Sequence, residues 1–432
     1  MAHLLYATAD GRLQSDPSLN ALARTGWEIR EANGLIPLPR NATLMHLPGR
    51  RPIGRTASGD IVEVDQPGAM AVGAVLPPGY LRTLLPAYRQ LAVAQVLPLY
   101  GYAAVASVDG HPHVAGLLTD NWEAWDPDAP DRRHLTSAIA RGRRSLPDSR
   151  LLRHLETCAT EYRCLTAQNL FLNQGEGAIP VSPACNAACL GCISEQWGDV
   201  DSPQTRLAFA PTAAEIAEVA CWHLAASDSL PLPGRDREGV MNFISFGQGC
   251  EGEPLTRGAA LIEATRRIRA AFPAATIHIN TNGSRPQTVR RLVEAGLNSI
   301  RISIFSLEDA AFRAYYRPIG YGLDDIARSA DAVAAAGGQV TINLLTFPGV
   351  TDAADEIDRL VEFIERHGVH QVQLRSLNVD PHWLLDRLPR RDGGAGMAQF
   401  VAVLKGRCPN LRLGNFTRPW PLVERSPAWA SF

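Results

Sequence analysis

The 432-residue chain is short of several things, and each shortage removes a class of function. No apolar run is long enough to cross a bilayer: the most apolar early stretch, GAMAVGAVLPPGYL, is short and broken by Pro77 and Pro78. Lysine is almost missing, with Lys405 the single example, so the positive charge is nearly all arginine. A net charge of −2 supplies no global field to draw the chain to nucleic acid or to an anionic membrane. Aromatic residues make up 7%, and none interleaves with the arginines of LPGRRPIGR or RRHLTSAIARGRRSLPDSRLLRH, which argues against a nucleic-acid face. The opening MAHLLYATADGR has no basic segment leading into an apolar run, so the expected compartment is the reducing cytoplasm. What remains is 46% hydrophobic and 20% charged, a composition that folds around a sizeable core, and the length suggests two or three domains.

From about residue 177 the chain alternates between short strands and helices. GAIPVSP, VMNFISFG, TIHINTNG, SIRISIFS, QVTINLLTF and QVQLRSL read as strands rich in Ile and Val. Between them TAAEIAEVACWHLAA, AALIEATRRIRAAF, TVRRLVEAG, DDIARSADAVAAAG and DEIDRLVEFIERHG repeat apolar residues at helical spacing, with Gly296, Gly337 and Gly368 where C-caps belong. Such repetition predicts parallel strands joined by crossover helices. Six units suggest an α/β fold, a partial (β/α)6 TIM-type barrel over 173–389 with its chemistry at the C-terminal strand ends, followed by a 390–432 extension. Residues 1–172 read as an α+β accessory domain: hairpins at LLYATADGRL and AAVASVDGHPHVAGLLTD, a helix at PGYLRTLLPAYRQLAV, a loop at WEAWDPDAPDRRH and one long helix at LLRHLETCATEYRCLTAQNLFL.

The first strand is followed by VSPACNAACLGCIS, which places Cys185, Cys189 and Cys192 within eight positions. In a reducing compartment clustered thiols bind metal more often than they pair as disulfides. A closed structural zinc site takes four ligands, and this loop offers three. Three thiolates on a four-iron cluster leave one iron open to a ligand that is not protein.

A Cys-x3-Cys-x2-Cys loop after the first strand of such a barrel resembles the radical SAM superfamily. Later strand ends resemble it in the same order. GQGCEGEPL after the second strand looks like the family's glycine-and-glutamate loop. The resemblance implies that Glu253 accepts from the methionine ammonium of S-adenosylmethionine, with Gly249 and Gly252 allowing close backbone approach. It further implies cofactor contacts from Asn280 and Asn282 in NTNG, Ser303 and Ser306 in RISIFS, Asn343 on strand five and Arg375 near the adenine edge. YYRPIG, from Tyr315 to Gly320, matches the family's usual continuation. The implied cofactors are a [4Fe-4S] cluster and S-adenosylmethionine. The implied activity is reductive cleavage to a 5′-deoxyadenosyl radical that takes hydrogen from a peptide, protein or small metabolite. An electron donor such as flavodoxin or ferredoxin would serve as partner. An RNA-modifying enzyme and a non-catalytic iron-sulfur protein are the alternatives.

Two features depart from the family pattern. Gly191 stands before the third cysteine, where an aromatic residue is usual, so adenine packing must come from elsewhere or the loop must sit closer to the nucleotide. Cys250, inside the glutamate loop, could donate hydrogen to a substrate radical, ligate a metal, or be a small buried residue. Cys158 and Cys164 lie six apart on the predicted long helix, out of shared register, and Cys221 and Cys408 are isolated, so one cluster is expected.

Overall fold

The computed structural model of the protein describes residues 1–121, 125–196, 202, 206–225, 242–391 and 393–421. The start of the expected second strand (Val240, Met241), part of the WEAWDPDAPDRRH loop (Trp122 to Ala124) and the tail from 422 onward lie outside the described residues. Among the described residues no helix is long and apolar enough to cross a membrane.

Seven strands form one parallel sheet in chain order: Glu176–Ile179, Phe243–Phe246, Ile277–Thr281, Ser299–Ile304, Gln339–Thr346, Gln371–Ser376 and Arg412–Gly414. Helices Ala213–Ala225, Gly258–Ala271, Pro286–Glu294, Leu323–Ala334, Ala354–Arg366 and Met397–Arg407 cross between successive strands. A further helix, Asp309–Tyr316, follows the fourth strand. Gly296, Gly337 and Gly368 take φ of 113°, 70° and 60° just past three of these helices, the left-handed turn that a side chain resists. The six-strand expectation falls one short. Arg412–Gly414 pairs in parallel with Gln371, Val372 and Gln373, so residues 390–421 supply a crossover helix and a seventh strand. Three residues reading Arg-Leu-Gly carry no periodicity by which a strand could be seen in advance.

The strand faces differ in chemistry. Ile277, Ile279, Ile300, Ile302, Ile304, Val340, Ile342, Leu344, Val372 and Leu374 are buried with the helices in one core. The alternate positions are polar and line up across the sheet. One row runs Ser245, His278, Ser299, Gln339. The next runs Asn280, Arg301, Thr341, Gln371, and the third Ser303, Asn343, Gln373. A parallel sheet covered on both faces ordinarily reads as continuous apolar runs. Here the helices cover one face only, and the other is polar.

Residues 2–118 form thirteen short strands joined by antiparallel pairings. The hairpin at Asp109-Gly110 pairs Tyr102–Val108 with His111–Leu118, and both turn residues have positive φ (50° and 79°), as a two-residue primed turn demands. Two expectations in this half are corrected. PGYLRTLLPAYRQLAV is three strands, Tyr80–Arg82, Leu85–Pro86 and Tyr88–Gln90, because Pro86 lacks an amide and pushes Leu85 into extended backbone. The long helix is two, Arg150–Thr160 and Leu165–Leu172, broken where Arg163 turns left-handed at φ 51°. Helix Leu135–Ser145 precedes them. Leu151, Leu155, Cys158 and Leu170 share a core with Ile179, Val181 and Ile216, so these helices pack with the parallel sheet and its helices.

The antiparallel sheet is bound to the parallel sheet by buried polar contacts. Arg50 donates to Asp380 at 2.6 Å with both side chains sealed, and the same carboxylate accepts from the Leu97 amide at 3.0 Å. Arg82 donates to the Leu377 carbonyl at 2.7 Å, and its amide to Ser376 Oγ at 3.2 Å. Asp120 accepts from the amides of Asn415 and Phe416 and from Arg418, fixing the chain as it leaves the seventh strand. The sheet therefore covers the C-terminal ends of strands five to seven.

Candidate active site

The loop after the first barrel strand opens at Val181 and holds the three thiols at intermediate exposure. Its path is set by a carboxylate that the motif reading passed over. Glu251, fully buried, accepts from the amides of Val181 and Ser182 on one oxygen (2.6 and 2.7 Å) and of Gln248 on the other (2.7 Å). Burial nonetheless pushes its pKa up to about 8. The signal was weak, since Glu251 and Glu253 are alike in sequence and only the long-range amides distinguish them. The glutamate loop then joins the cysteine loop backbone to backbone: Gly252 donates to the Ser182 carbonyl at 2.7 Å and Glu253 to the Ala184 carbonyl at 2.8 Å. A Cβ on Gly252 would lie 2.1 Å from the Ala184 oxygen, so this glycine is required by the cysteine loop itself. Gly249 is exposed in the turn.

Glu253 is 4% exposed and clamps three elements. One carboxylate oxygen accepts from the Leu255 amide (2.9 Å) and the Thr281 hydroxyl (2.5 Å), the other from the Asn282 amide (2.8 Å). Burial raises its pKa to about 7 against these donors. Asn282 donates to the Asn186 side chain at 2.9 Å, tying the end of strand three to the cysteine loop. On the other side, the Tyr316 and Tyr315 carbonyls accept from Ala188 and Leu190, and Ile319 donates to Asn186, all at 2.9–3.0 Å. The YYRPIG segment is thus the second clamp on the loop. The position of Gly191 is explained by crowding: a Cβ there would meet Val379 at 2.5 Å and the Tyr315 hydroxyl at 3.0 Å. An aromatic ring has no room, and the loop instead packs on the end of strand six.

The remaining sequence-predicted residues fall into two groups. Asn280, Ser303, Asn343 and Arg375 belong to the polar face. Asn280 donates to Gly247 O and Ser245 Oγ, and Asn343 donates to Ser303 Oγ at 3.1 Å. The Asn343 carbonyl oxygen and the Thr341 hydroxyl are buried with no partner. The guanidinium of Arg375 makes no hydrogen bond among the described residues; it lies 5.9 Å from the Phe416 ring, and burial, then the neighbouring Arg301, push its pKa down to about 10. Ser306 stands apart, donating to Glu356 at 2.6 Å and accepting from the Glu308 amide. Cys250 is 6% exposed and turned away from the cysteine loop, toward Cys158 and His154.

The donor set fits an iron–sulfur cluster. Burial above all raises the thiol pKa values of Cys185 and Cys189, aided by Glu253 and then Cys192 at Cys185 and by the facing thiols at Cys189, so these groups give up their protons when a cation arrives. No fourth cysteine joins them, because Cys250 is engaged elsewhere. Below lies a polar face whose orphaned atoms await a partner, the condition that a polar cosubstrate would relieve.

A seven-stranded parallel sheet with a three-cysteine loop at its C-terminal end and a polar inner face defines a cofactor-binding α/β domain. Residues 179–364 match the model of the Radical SAM superfamily. The superfamily's cofactors are a [4Fe-4S] cluster and S-adenosylmethionine. Comparison with curated proteins returns no match. Among solved structures, the chain resembles a radical SAM methyltransferase from Sphaerobacter thermophilus at 16% identity, covering 55% of this chain and 65% of that one, with a TM-score of 0.38. It also resembles SuiB of Streptococcus suis bound to S-adenosylmethionine (13%, 59% and 56%, 0.37). A third is the FeFe-hydrogenase maturase HydG from Carboxydothermus hydrogenoformans (14%, 65% and 66%, 0.38). The chain spans less than two thirds of the length of each of these three.

Proposed function

We propose that the protein is a radical SAM enzyme acting on a peptide, protein or small metabolite. The observation that carries this is the stacking of a three-thiol loop above a polar face that holds an unpartnered Asn343 oxygen and an unbonded Arg375 guanidinium. Cys185, Cys189 and Cys192 hold the [4Fe-4S] cluster. When bound, the cluster supplies the electron, received from a donor such as flavodoxin or ferredoxin, that cleaves S-adenosylmethionine to the 5′-deoxyadenosyl radical.

The protein's own residues bind, orient and exclude water. Glu253 offers its remaining lone pairs to the methionine ammonium, in a pocket where burial strengthens the contact. Asn280, Asn282, Ser303, Asn343 and Arg375 are the candidate contacts to the rest of the cosubstrate, whereas Ser306 is taken up by Glu356. The antiparallel sheet, bound over strand ends five to seven, shields the mouth on that side. A cleft between its Val96–Leu99 segment and Leu190, Val379 and Trp383 leads to the cysteine loop, and we assign substrate selection to this edge.

The arginines do not favour RNA. Arg143 pairs with Glu156 and Arg150 with Glu215, Arg132 donates to Gln168, and Arg141 donates to the Phe171 carbonyl. Anaerobic reconstitution with iron and sulfide, followed by assay for 5′-deoxyadenosine, tests the proposal. The expected result is about four irons per chain and reductant-dependent 5′-deoxyadenosine. A tightly held zinc in the cysteine loop with no iron taken up would overturn it.

A further inference from the structure

Outside the cysteine loop, three soft ligands meet at one point. His154 and Cys158 are four residues apart on helix Arg150–Thr160, the spacing that puts both on one helix face. Cys250 reaches them from the glutamate loop. One ligand atom from each lies within 4.8 Å of the other two. Cys158 Sγ and His154 Nε2 are 3.6 Å apart. In a tetrahedral zinc site with Zn–S of about 2.3 Å and Zn–N of about 2.0–2.1 Å, the S···N edge is about 3.6 Å and the S···S edge about 3.8 Å. The Cys158–His154 spacing therefore matches the edge a shared ion would set, with Cys250 within reach of both.

We propose that His154, Cys158 and Cys250 form a three-ligand Zn²⁺ site that staples the helix before the barrel to the loop carrying Glu251 and Glu253. Imidazole with two thiolates is a donor set that suits zinc, whereas magnesium or calcium takes oxygen. Cys158 and Cys250 are 2% and 6% exposed, and His154 is only partly buried, so the ion and the solvent molecule in its fourth position enter past the histidine. Geometry is supported by charge. A hydrogen bond from Cys250 first, and one from His154 next, hold the Cys158 thiol well below its usual range, while Cys250 is held above it. Binding an ion displaces the protons that remain on the thiols. The Cys250 carbonyl also accepts from Leu207 at 2.8 Å, so the loop is fixed from both sides of the ion. The site does not depend on the function assigned to the cysteine loop.

The first measurement is metal analysis of the full chain after anaerobic reconstitution, which should give one zinc per chain in addition to the iron. The second uses the full chain with Cys185, Cys189 and Cys192 all changed to serine, which removes the thiols of the other site, titrated with Co²⁺ alone under reducing conditions. One cobalt per chain should bind with tetrahedral d–d bands and sulfur-to-cobalt charge transfer, and zinc should displace it. Cys158→Ser or Cys250→Ser should abolish the charge-transfer band, and the milder His154→Asn should shift the d–d bands. Should the serine variants fail to fold, slower alkylation of Cys158 and Cys250 on adding zinc reads the same site with its ligands intact. Three results would each overturn the proposal: no cobalt bound, cobalt spectra that survive both serine changes, or a Cys158–Cys250 disulfide in protein kept reduced.

Discussion

Cys185, Cys189 and Cys192 come from one loop and stand partly exposed at the C-terminal end of the barrel sheet, whereas Cys158 and Cys250 come from two distant elements and are all but sealed. The first set is held from outside, by Glu251, Gly252, Asn282 and the carbonyls of Tyr315 and Tyr316. The second holds itself, through the contact of its sulfurs and an imidazole. A loop that leaves its thiols partly accessible is suited to a reactive cluster. A closed trio is suited to structure. The same residue type serves two ends, and the difference lies in which groups surround it.

The largest expected effect separates the two sets. Replacing any one of Cys185, Cys189 or Cys192 by serine should abolish iron incorporation and 5′-deoxyadenosine formation, because three protein ligands are the minimum for the cluster. Cys158→Ser should leave the iron content unchanged. Iron counted after identical anaerobic reconstitution decides it, and loss of iron from Cys158→Ser would erase the distinction.

That separation also explains what could be read ahead of the structure. The cysteine loop was legible because its three ligands are neighbours in sequence, and the barrel because strand and helix periods are local. The trio was not, since nothing in the sequence brings residue 250 to residue 158. The helix expected at PGYLRTLLPAYRQLAV failed for a local reason, as Pro86 sits in its middle. The polar face was legible and unread: IHINT, SIRISI and QVTINLL alternate with period two, the mark of a sheet whose inner face is not apolar. Glu251 could not be told from Glu253 without the amides that reach it.

A second comparison sets the antiparallel sheet against the barrel it covers. Their joint rests on the sealed Arg50–Asp380 pair, so Asp380→Ala strands a buried guanidinium and the Leu97 amide. The expected loss is about 3–5 kcal/mol of stability. Replacing Arg50 and Asp380 together by apolar residues should recover much of it. Urea titrations of the single and double variants measure both, and a single variant within about 1 kcal/mol of the parent would mean the joint does not depend on this pair.

Glu253→Gln isolates the charge at the clamp, since the amide oxygen still accepts while the second oxygen is lost. Loss of a charge-assisted contact of about 1.5–3 kcal/mol lowers affinity for S-adenosylmethionine roughly tenfold to a hundredfold. Iron content should hold. Equilibrium binding to reconstituted protein checks this, and unchanged affinity would reduce Glu253 to the cap and clamp that its protein contacts already make it.

A further effect follows from the same carboxyl group in the protein without cosubstrate. Burial raises its folded pKa to about 7 from an ordinary 4.5. Between those values the folded chain holds a proton at Glu253 that the unfolded chain has released. Stability contributed at this position therefore falls as pH rises through the window, by at most about 1.4 kcal/mol per pH unit. Glutamine does not titrate, so the stability of Glu253→Gln relative to the parent should improve steadily from pH 5 to pH 7. Titrating groups that do not feel Glu253 cancel in that difference, and Glu251, whose pKa Glu253 helps to raise, adds a smaller change of its own. Cosubstrate binding acts in the opposite sense, because an ammonium beside Glu253 favours the carboxylate and draws its pKa back down. Denaturation at pH 5, 6 and 7, with and without S-adenosylmethionine, should thus show the slope and then its loss. A slope of opposite sign without cosubstrate would mean that the amide and hydroxyl donors outweigh burial, and that Glu253 is charged throughout.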